Sequence, residues 1–381
     1  AAEICRSRPT LSLRSRLSLW YALAIGSLGA LHPFLGMSLS QRGLPPETTA
    51  AVLALFPAGF LTAGLLWGWL ADATGKPTSW MRAAALGSAL CAIWVLVAPG
   101  LPGLIAGLAG LALARAPLIP LVDALTVTCL GDNSGDYGRV RLWGSVAFAG
   151  AVFTVGALID VWPDAPLGLA AAMLAGTALL TWGLPKAEFD APKASLRELR
   201  ELRRDPTLSP LLHIAVLHGL AHASYDFLFS VHMEALGAPT WQTTAAFVGG
   251  LTVEVSLMAV APALLRRFGA AGLIRLATFT SVPRFLLTGV AMPTAAIAAV
   301  QVLHGISFGA FWIGAVALIA ARSPVGLRNS AQAALMAASA GVGPLLMMVG
   351  ASWLLQVITL PTLFLVAAGL AAVAAILAAR L

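Results

Sequence analysis

The chain has 381 residues, of which 59% are hydrophobic and only 10% charged, with a mean hydropathy of +0.88 and a formal net charge of +7. That balance excludes a soluble globular domain. The pI near 10.0 is the mark of basic loops that hold a membrane topology and touch anionic lipid, so no nucleic-acid partner is read from it.

Apolar runs of about 20 residues, enough to cross roughly 30 Å of hydrocarbon as helix, recur from end to end. They predict twelve membrane helices, at about 17–40, 48–70, 80–99, 103–130, 138–159, 165–185, 211–234, 241–265, 270–291, 294–321, 325–353 and 358–379. None of the runs alternates as a barrel strand does, and in lipid a helix satisfies its own backbone groups. The expected fold class is therefore an all-α membrane protein. Its first segment, basic and then apolar, is too long for the apolar core of a signal peptide and reads as a retained first helix. Of the 23 Lys and Arg residues, Arg115 and Arg284 lie inside apolar segments, and Arg42 lies at an outer end. All the others fall at ends that are cytoplasmic when the N-terminus is inside, which predicts both termini in the cytoplasm. Cys5, Cys91 and Cys129 are too few and scattered for a disulfide or zinc framework. The expectation is an integral, multi-pass protein of the bacterial inner (plasma) membrane, monomeric and surrounded by lipid.

Between the second and third segments stands Gly68-Trp69-Leu70-Ala71-Asp72-Ala73-Thr74-Gly75-Lys76. It resembles the loop signature of the major facilitator superfamily, with Ala73 where a basic residue is usual. The resemblance implies structural roles for Gly68, Asp72 and Gly75, with Asp72 meeting a neighbouring helix end. Arg266-Arg267-Phe268-Gly269 is a worn counterpart in the second half. The long polar interruption Lys186–Pro210 divides the chain into an N-terminal six-helix half (1–185), a cytoplasmic linker (186–210) and a C-terminal six-helix half (211–381). Its SLRELRELRR core suits a short surface helix. Two equal halves around such a loop are the pattern of a duplicated transporter.

The fourth segment carries Arg115, Pro117, Pro120 and Asp123. Two prolines so close bend a helix and free its carbonyls, which is tolerated where the helix lines a cavity. A guanidinium at the depth of Arg115 is costly in lipid unless it faces a partner or water. Eighteen residues after Asp123 comes Arg141, within Tyr137-Gly-Arg139-Val-Arg141-Leu-Trp-Gly-Ser145, and Phe148 follows seven later. Asp123 and Arg141 fall at similar depth on adjacent helices and can pair; Arg139 reads as a topological anchor. This stretch resembles the fifth-helix signature of phenylpropionate permeases and of oligosaccharide–proton symporters. The resemblance implies that Asp123 and Arg141 hold the solute and that Phe148 stacks on it. Asp and Phe stand where the sugar symporters have Glu and Trp, and an aromatic solute suits that place equally.

In the second half, His218, His222 and Asp226 share one helical stripe, preceded at 225 by a tyrosine. The spacing also suits metal ligands, although a polar stripe along a solute path needs only hydrogen bonding. Glu254, Arg284 and His304 fall at mid-membrane depth on the eighth, ninth and tenth segments, where a carboxylate, a guanidinium and an imidazole can exchange partners with protonation. Arg284 and His304 have the spacing of the arginine–histidine pair of the oligosaccharide–proton symporters, and Gln301-Val-Leu-His304-Gly-Ile-Ser-Phe308 resembles the phenylpropionate group. The position where the sugar symporters carry a proton-bearing glutamate is Ser307, so Glu254 and Asp226, with His304, are the candidates for proton coupling, and Asp123 is third among the acids.

The chain contains no phosphate-binding glycine loop, so ATP-driven transport is excluded within it. The sequence thus points to a non-enzymatic, cofactor-free symporter, driven by the proton gradient, for a small organic solute. An aromatic or other carboxylate is favoured, with Asp123, Arg141, Phe148 and Arg115 on one side and Tyr225, His222, Arg284 and His304 on the other. The alternatives are, in order, a sugar or nucleoside symporter, an exporter of amphipathic compounds, a metal-ion transporter with the His218 stripe, and a receptor without turnover.

Overall fold

The structure is a computed structural model that describes residues 12–74, 76–130, 137–185, 206, 208–323 and 328–381. Of the loop signature, Gly75 lies outside the described residues, and Gly68 and Asp72 are described in backbone only. The linker 186–205, with its expected surface helix, also lies outside them.

Among the described residues all regular structure is helical. In chain order the helices are α1 (Leu13–Leu31), α2 (Leu35–Gln41), α3 (Pro46–Leu53), α4 (Leu55–Thr74), α5 (Pro77–Val97), α6 (Gly100–Arg115), α7 (Leu118–Leu130), α8 (Tyr137–Leu158) and α9 (Ala165–Trp182). After the linker come α10 (Leu208–Ala235), α11 (Thr240–Ala259), α12 (Ala261–Gly289), α13 (Thr294–Val300), α14 (Val302–Arg322), α15 (Arg328–Met336), a π-helical turn (Ala337–Val342), α16 (Gly343–Leu354) and α17 (Leu360–Ala378). Nine helices among the described residues are long and apolar enough to cross a membrane, or ten with the α1–α2 pair, bent by 45°, taken as one span. The predicted segment at 48–70 is divided between α3 and α4, and that at 241–265 is the shorter α11.

The breaks have local causes. Proline lacks the amide hydrogen that a helix interior requires. The fourth predicted segment accordingly stops at Arg115 and resumes at Leu118, across Ala116-Pro117. Pro344 cannot donate to the preceding turn, and the π-helical stretch sits immediately before it; wide turns of this kind occur where a helix absorbs such a defect. Arg266-Arg267-Phe268-Gly269 does not form a separate loop. It runs inside α12, kinked at Gly269, whose φ of 68° is open to glycine and strained for other residues.

The chain packs as two compact units: Ala1–Ser38 with Ala58–Pro192, and Leu39–Pro57 with Lys193–Leu381. In the first, α1 lies against α8 and α9, and α5 against α6 and α9. In the second, α12 packs on α14 and α17, α10 on α16 and α17, α11 on α14, and α3 on α16. The same device recurs in each. Arg82 Nη2 donates to the carbonyl of Trp182 at 3.1 Å, at the end of α9, and Arg275 Nε donates to the carbonyl of Ala378 at 3.3 Å, at the end of α17. Cations suit the unpaired carbonyls of a helix C-terminus, which gives two of the topological arginines a structural task.

Close approach through small residues sets the packing, as is usual between membrane helices. A Cβ on Gly219 would run into the carbonyl oxygen of Ser339, and one on Gly343 would lie 2.5 Å from that of Val216. Gly219→Val is therefore expected to destabilise the protein by about 3 kcal/mol in thermal unfolding of the purified protein. Gly350→Ala, where a Cβ would meet nothing within 4 Å, should leave stability unchanged or raise it by up to ~1 kcal/mol.

Candidate functional site

In the first unit, the packing of α1 on α8 sets a tyrosine beside the predicted pair. Tyr21 Oη donates to Asp123 Oδ1 at 2.6 Å, and Thr126 Oγ1 lies 3.2 Å from the same hydroxyl. The Arg141 guanidinium stands 5.6 Å from the centre of the Tyr21 ring, a cation–π contact. The Tyr21 and Tyr137 rings meet edge to face at 6.5 Å. Asp123 and Arg141 are thus brought together, but through an aromatic ring that carries a hydroxyl rather than by the direct pairing that their depth allows. Phe148 is half-buried on α8, where its backbone carbonyl packs against Gly29 of α1. Arg115 is buried, 8% exposed, and its Nη2 donates to the carbonyl of Ala24 at 3.0 Å. Among the described residues its Nε has no hydrogen-bond partner. The α1 carbonyl meets part of the donor capacity that a buried guanidinium brings.

The second unit holds the denser cluster. Arg284, fully buried on α12, lies against two rings: its guanidinium carbon is 4.2 Å from the Tyr225 ring centre and 4.7 Å from that of Phe285. Its Nε donates to Gln301 Oε1 at 2.9 Å and its Nη1 to Ser307 Oγ at 3.5 Å, while Nη2 has no partner. Tyr225 is itself packed by Phe229 and Phe247, at 5.0 and 4.9 Å, and by His304 at 4.7 Å, and its hydroxyl has no partner. His304 stacks on Phe308 at 5.3 Å and 20°, and its Nδ1 is buried without a partner. Three neighbouring side chains thus hold unpaired polar atoms among the described residues. Such atoms are rare in protein interiors and call for an explanation.

Ser307 links the histidine stripe to this cluster. Its Oγ lies 3.2 Å from His222 Nε2, and His222 Nδ1 lies 3.0 Å from the carbonyl of His218. The His218 and His222 rings sit 3.9 Å apart, and His218 stacks on Phe311 at the same distance. The stripe is therefore a stack of rings, and among the described residues no three His, Cys, Asp or Glu side chains converge on a common point.

The acids are arranged differently from the Glu254–Arg284–His304 cluster that the sequence suggests. The carboxylate whose charge acts on Arg284 is Asp226, on the same helix as Tyr225. Glu254, half-buried on α11, has Asp226 as its charged neighbour. It is brought close to α14 by glycines: a Cβ on Gly305 would lie 2.5 Å from the Glu254 amide nitrogen, and one on Gly309 would lie 3.5 Å from Glu254 Cγ. Tyr21 and Thr288 are members that sequence reasoning passes over, and Gln301 enters it only within a motif, without a role of its own. Tyr21 is an ordinary aromatic in an apolar run, and Gln301 and Thr288 carry no charge to mark them.

Comparison with known proteins agrees with this architecture. The family model described as the MFS_1 like family matches residues 14–366. The chain is 30% identical over 332 residues to a maltose permease of Geobacillus stearothermophilus, covering 85% of this chain and 83% of that one. It is 28% identical over 370 residues to a probable 3-phenylpropionic acid transporter of Escherichia coli (strain K12), covering 92% and 96%. A crystal structure of the nucleoside transporter NupG superposes with a TM-score of 0.83 at 17% identity, covering 97% of this chain and 99% of that one, a likeness of fold.

Proposed function

We propose, from the premise that this chain belongs to the MFS_1 like family, that it carries a small organic carboxylate across the membrane together with a proton. It is an integral, multi-pass membrane transporter and not an enzyme. The proposal includes twelve helices with both termini in the cytoplasm, as the distribution of lysine and arginine favours, and operation as a monomer in a bacterial inner membrane.

One observation carries the reading of the solute. Arg284 Nη2, the Tyr225 hydroxyl and His304 Nδ1 are buried and unpaired among the described residues, on side chains that pack on one another. Two of these groups donate, and the third lies on a ring that can donate or accept. A carboxylate supplies two acceptor oxygens for such a set, and a charged donor makes the bonds stronger. The aromatic walls, Tyr225, Phe285 and Phe308, suit a solute with an aromatic body, as does the relative named for 3-phenylpropionic acid.

Proton coupling is supported by the charges. Arg284, Asp226 and Glu254 together sum to one negative charge when all are ionised, and a single proton brings them to neutrality. A net negative site in low dielectric opposes an anionic solute, and the proton removes that charge before the carboxylate binds. A second reading, a neutral sugar, is supported by the relative named maltose permease and by the phenol-bonded Asp123, which can accept hydroxyl donors.

The test is uptake into proteoliposomes under an imposed pH gradient. Carboxylates such as 3-phenylpropionate are expected to accumulate and to collapse the gradient as they enter. Accumulation of maltose in place of any carboxylate would favour the second reading, and accumulation without proton movement would overturn the coupling.

A further inference from the structure

Gln301 is buried, 1% exposed, at the break between α13 and α14, where its backbone ends one helix and begins the next. Its Oε1 accepts from Arg284 Nε at 2.9 Å. Its Nε2 donates to Thr288 Oγ1 at 2.9 Å and to the Ile297 carbonyl at 3.1 Å. The Thr288 hydroxyl in turn donates to the backbone carbonyl of Arg284 at 2.8 Å. The bonds form a closed ring from the arginine side chain through glutamine and threonine to the arginine backbone. The amide has only one workable orientation in it, since Arg284 Nε can only donate and the Ile297 carbonyl can only accept.

The ring orients the guanidinium without neutralising it. Buried arginines ordinarily meet a carboxylate, because an uncompensated charge in low dielectric is costly. Here the group bonded to Nε is a dipole, and among the described residues none of the three guanidinium nitrogens donates to an acid. Asp226 acts on Arg284 through space only. Nothing else in the cluster is so placed that a change of one atom, amide nitrogen to oxygen, would put a full negative charge on Nε.

We propose that Gln301 sets the charge of the solute that this site accepts. By holding Arg284 through an uncharged amide it leaves the guanidinium charge for an anionic solute, whereas a carboxylate at 301 would take up that charge and turn the site toward neutral solutes. The proposal deepens, and rests on, the reading of the solute as a carboxylate. Gln301 is on this view a positioning residue: it acts through Arg284.

The test is equilibrium binding of 3-phenylpropionate and benzoate, each against its own amide, to the purified full-length protein and to Gln301→Glu. The unmutated protein should prefer the acids by about tenfold or more. Gln301→Glu, nearly the same shape, able to accept from a turned Thr288 hydroxyl and losing only the bond to the Ile297 carbonyl, should lose about 30-fold or more in acid affinity while amide affinity changes by less than about threefold. An acid-to-amide ratio that survives Gln301→Glu, or a loss shared equally by acid and amide, would overturn the inference and leave the carboxylate reading intact. Absence of any acid preference, or of saturable acid binding, in the unmutated protein would instead overturn the carboxylate reading. If Gln301→Glu does not fold, Gln301→Met decides: the charge of Arg284 is then still free, so the acid preference must persist even as both affinities fall, and its disappearance would sink the proposal.

Discussion

Arg284→Lys is expected to weaken binding of a carboxylate solute by a factor of about 30 to several thousand, the equivalent of roughly 2–5 kcal/mol. The positive charge survives this change, so the loss reports geometry. Arginine is held against the Tyr225 and Phe285 rings and by Gln301 at Nε, a placement that suits a planar, delocalised group with fixed donor directions. A lysine ammonium is a flexible point charge: it cannot stack in the slot, and it leaves Gln301 Oε1 without its donor in a buried place, which adds the cost of an unsatisfied acceptor. The measurement is calorimetric titration with 3-phenylpropionate and with its amide on both proteins. The amide should bind weakly to the unmutated protein and lose little on mutation. Equal affinity for acid and amide in the unmutated protein would move the solute to a neutral class and shift the weight of recognition to Asp123, where Tyr21 already shows how a hydroxyl is accepted.

Glu254→Gln should abolish accumulation driven by a pH gradient while leaving exchange of solute down its own gradient measurable. An amide keeps the shape and much of the hydrogen bonding of the carboxyl group but never gains or loses the proton. With glutamine at 254, Arg284 and ionised Asp226 already sum to zero, and the site has no need of a proton to become neutral. The substitution therefore removes the coupling and spares the path, and the two assays, accumulation and counterflow in proteoliposomes, separate these effects. Asp226→Asn is the informative companion. It removes the carboxylate whose charge acts on Arg284, so it should affect solute binding as well as coupling. Should Asp226→Asn end accumulation while Glu254→Gln accumulates normally, Asp226 is the proton carrier; should both accumulate normally, the proton does not travel through these acids.

What could be read along the chain is what each residue does with its immediate neighbours and with lipid. Helices follow from hydrocarbon thickness and from a backbone that must satisfy itself, and the break after Arg115 follows from Pro117, whose effect is local. The residues with unusual cost, Arg115, Arg284, Asp123 and Glu254, announce themselves because a charge in an apolar run has no cheap explanation. The partner of each is a different matter, because it depends on which helices touch and on how each is rotated about its axis. Tyr21 meets both Asp123 and Arg141 because α1 packs on α7 and α8, and glycines such as Gly29 permit the close approach to α8. Asp226 acts on Arg284 from α10, the helix whose Tyr225 covers the guanidinium, whereas the glycines of α14 bring Glu254 of α11 against that helix. Gln301 and Thr288, uncharged and inexpensive at their own positions, acquire a role only where the folded chain closes a ring of hydrogen bonds around Arg284. Hydropathy and charge bias are sums over a chain and survive any packing; the orientation of one guanidinium is settled by a few ångströms of tertiary contact, which no sum along the sequence contains.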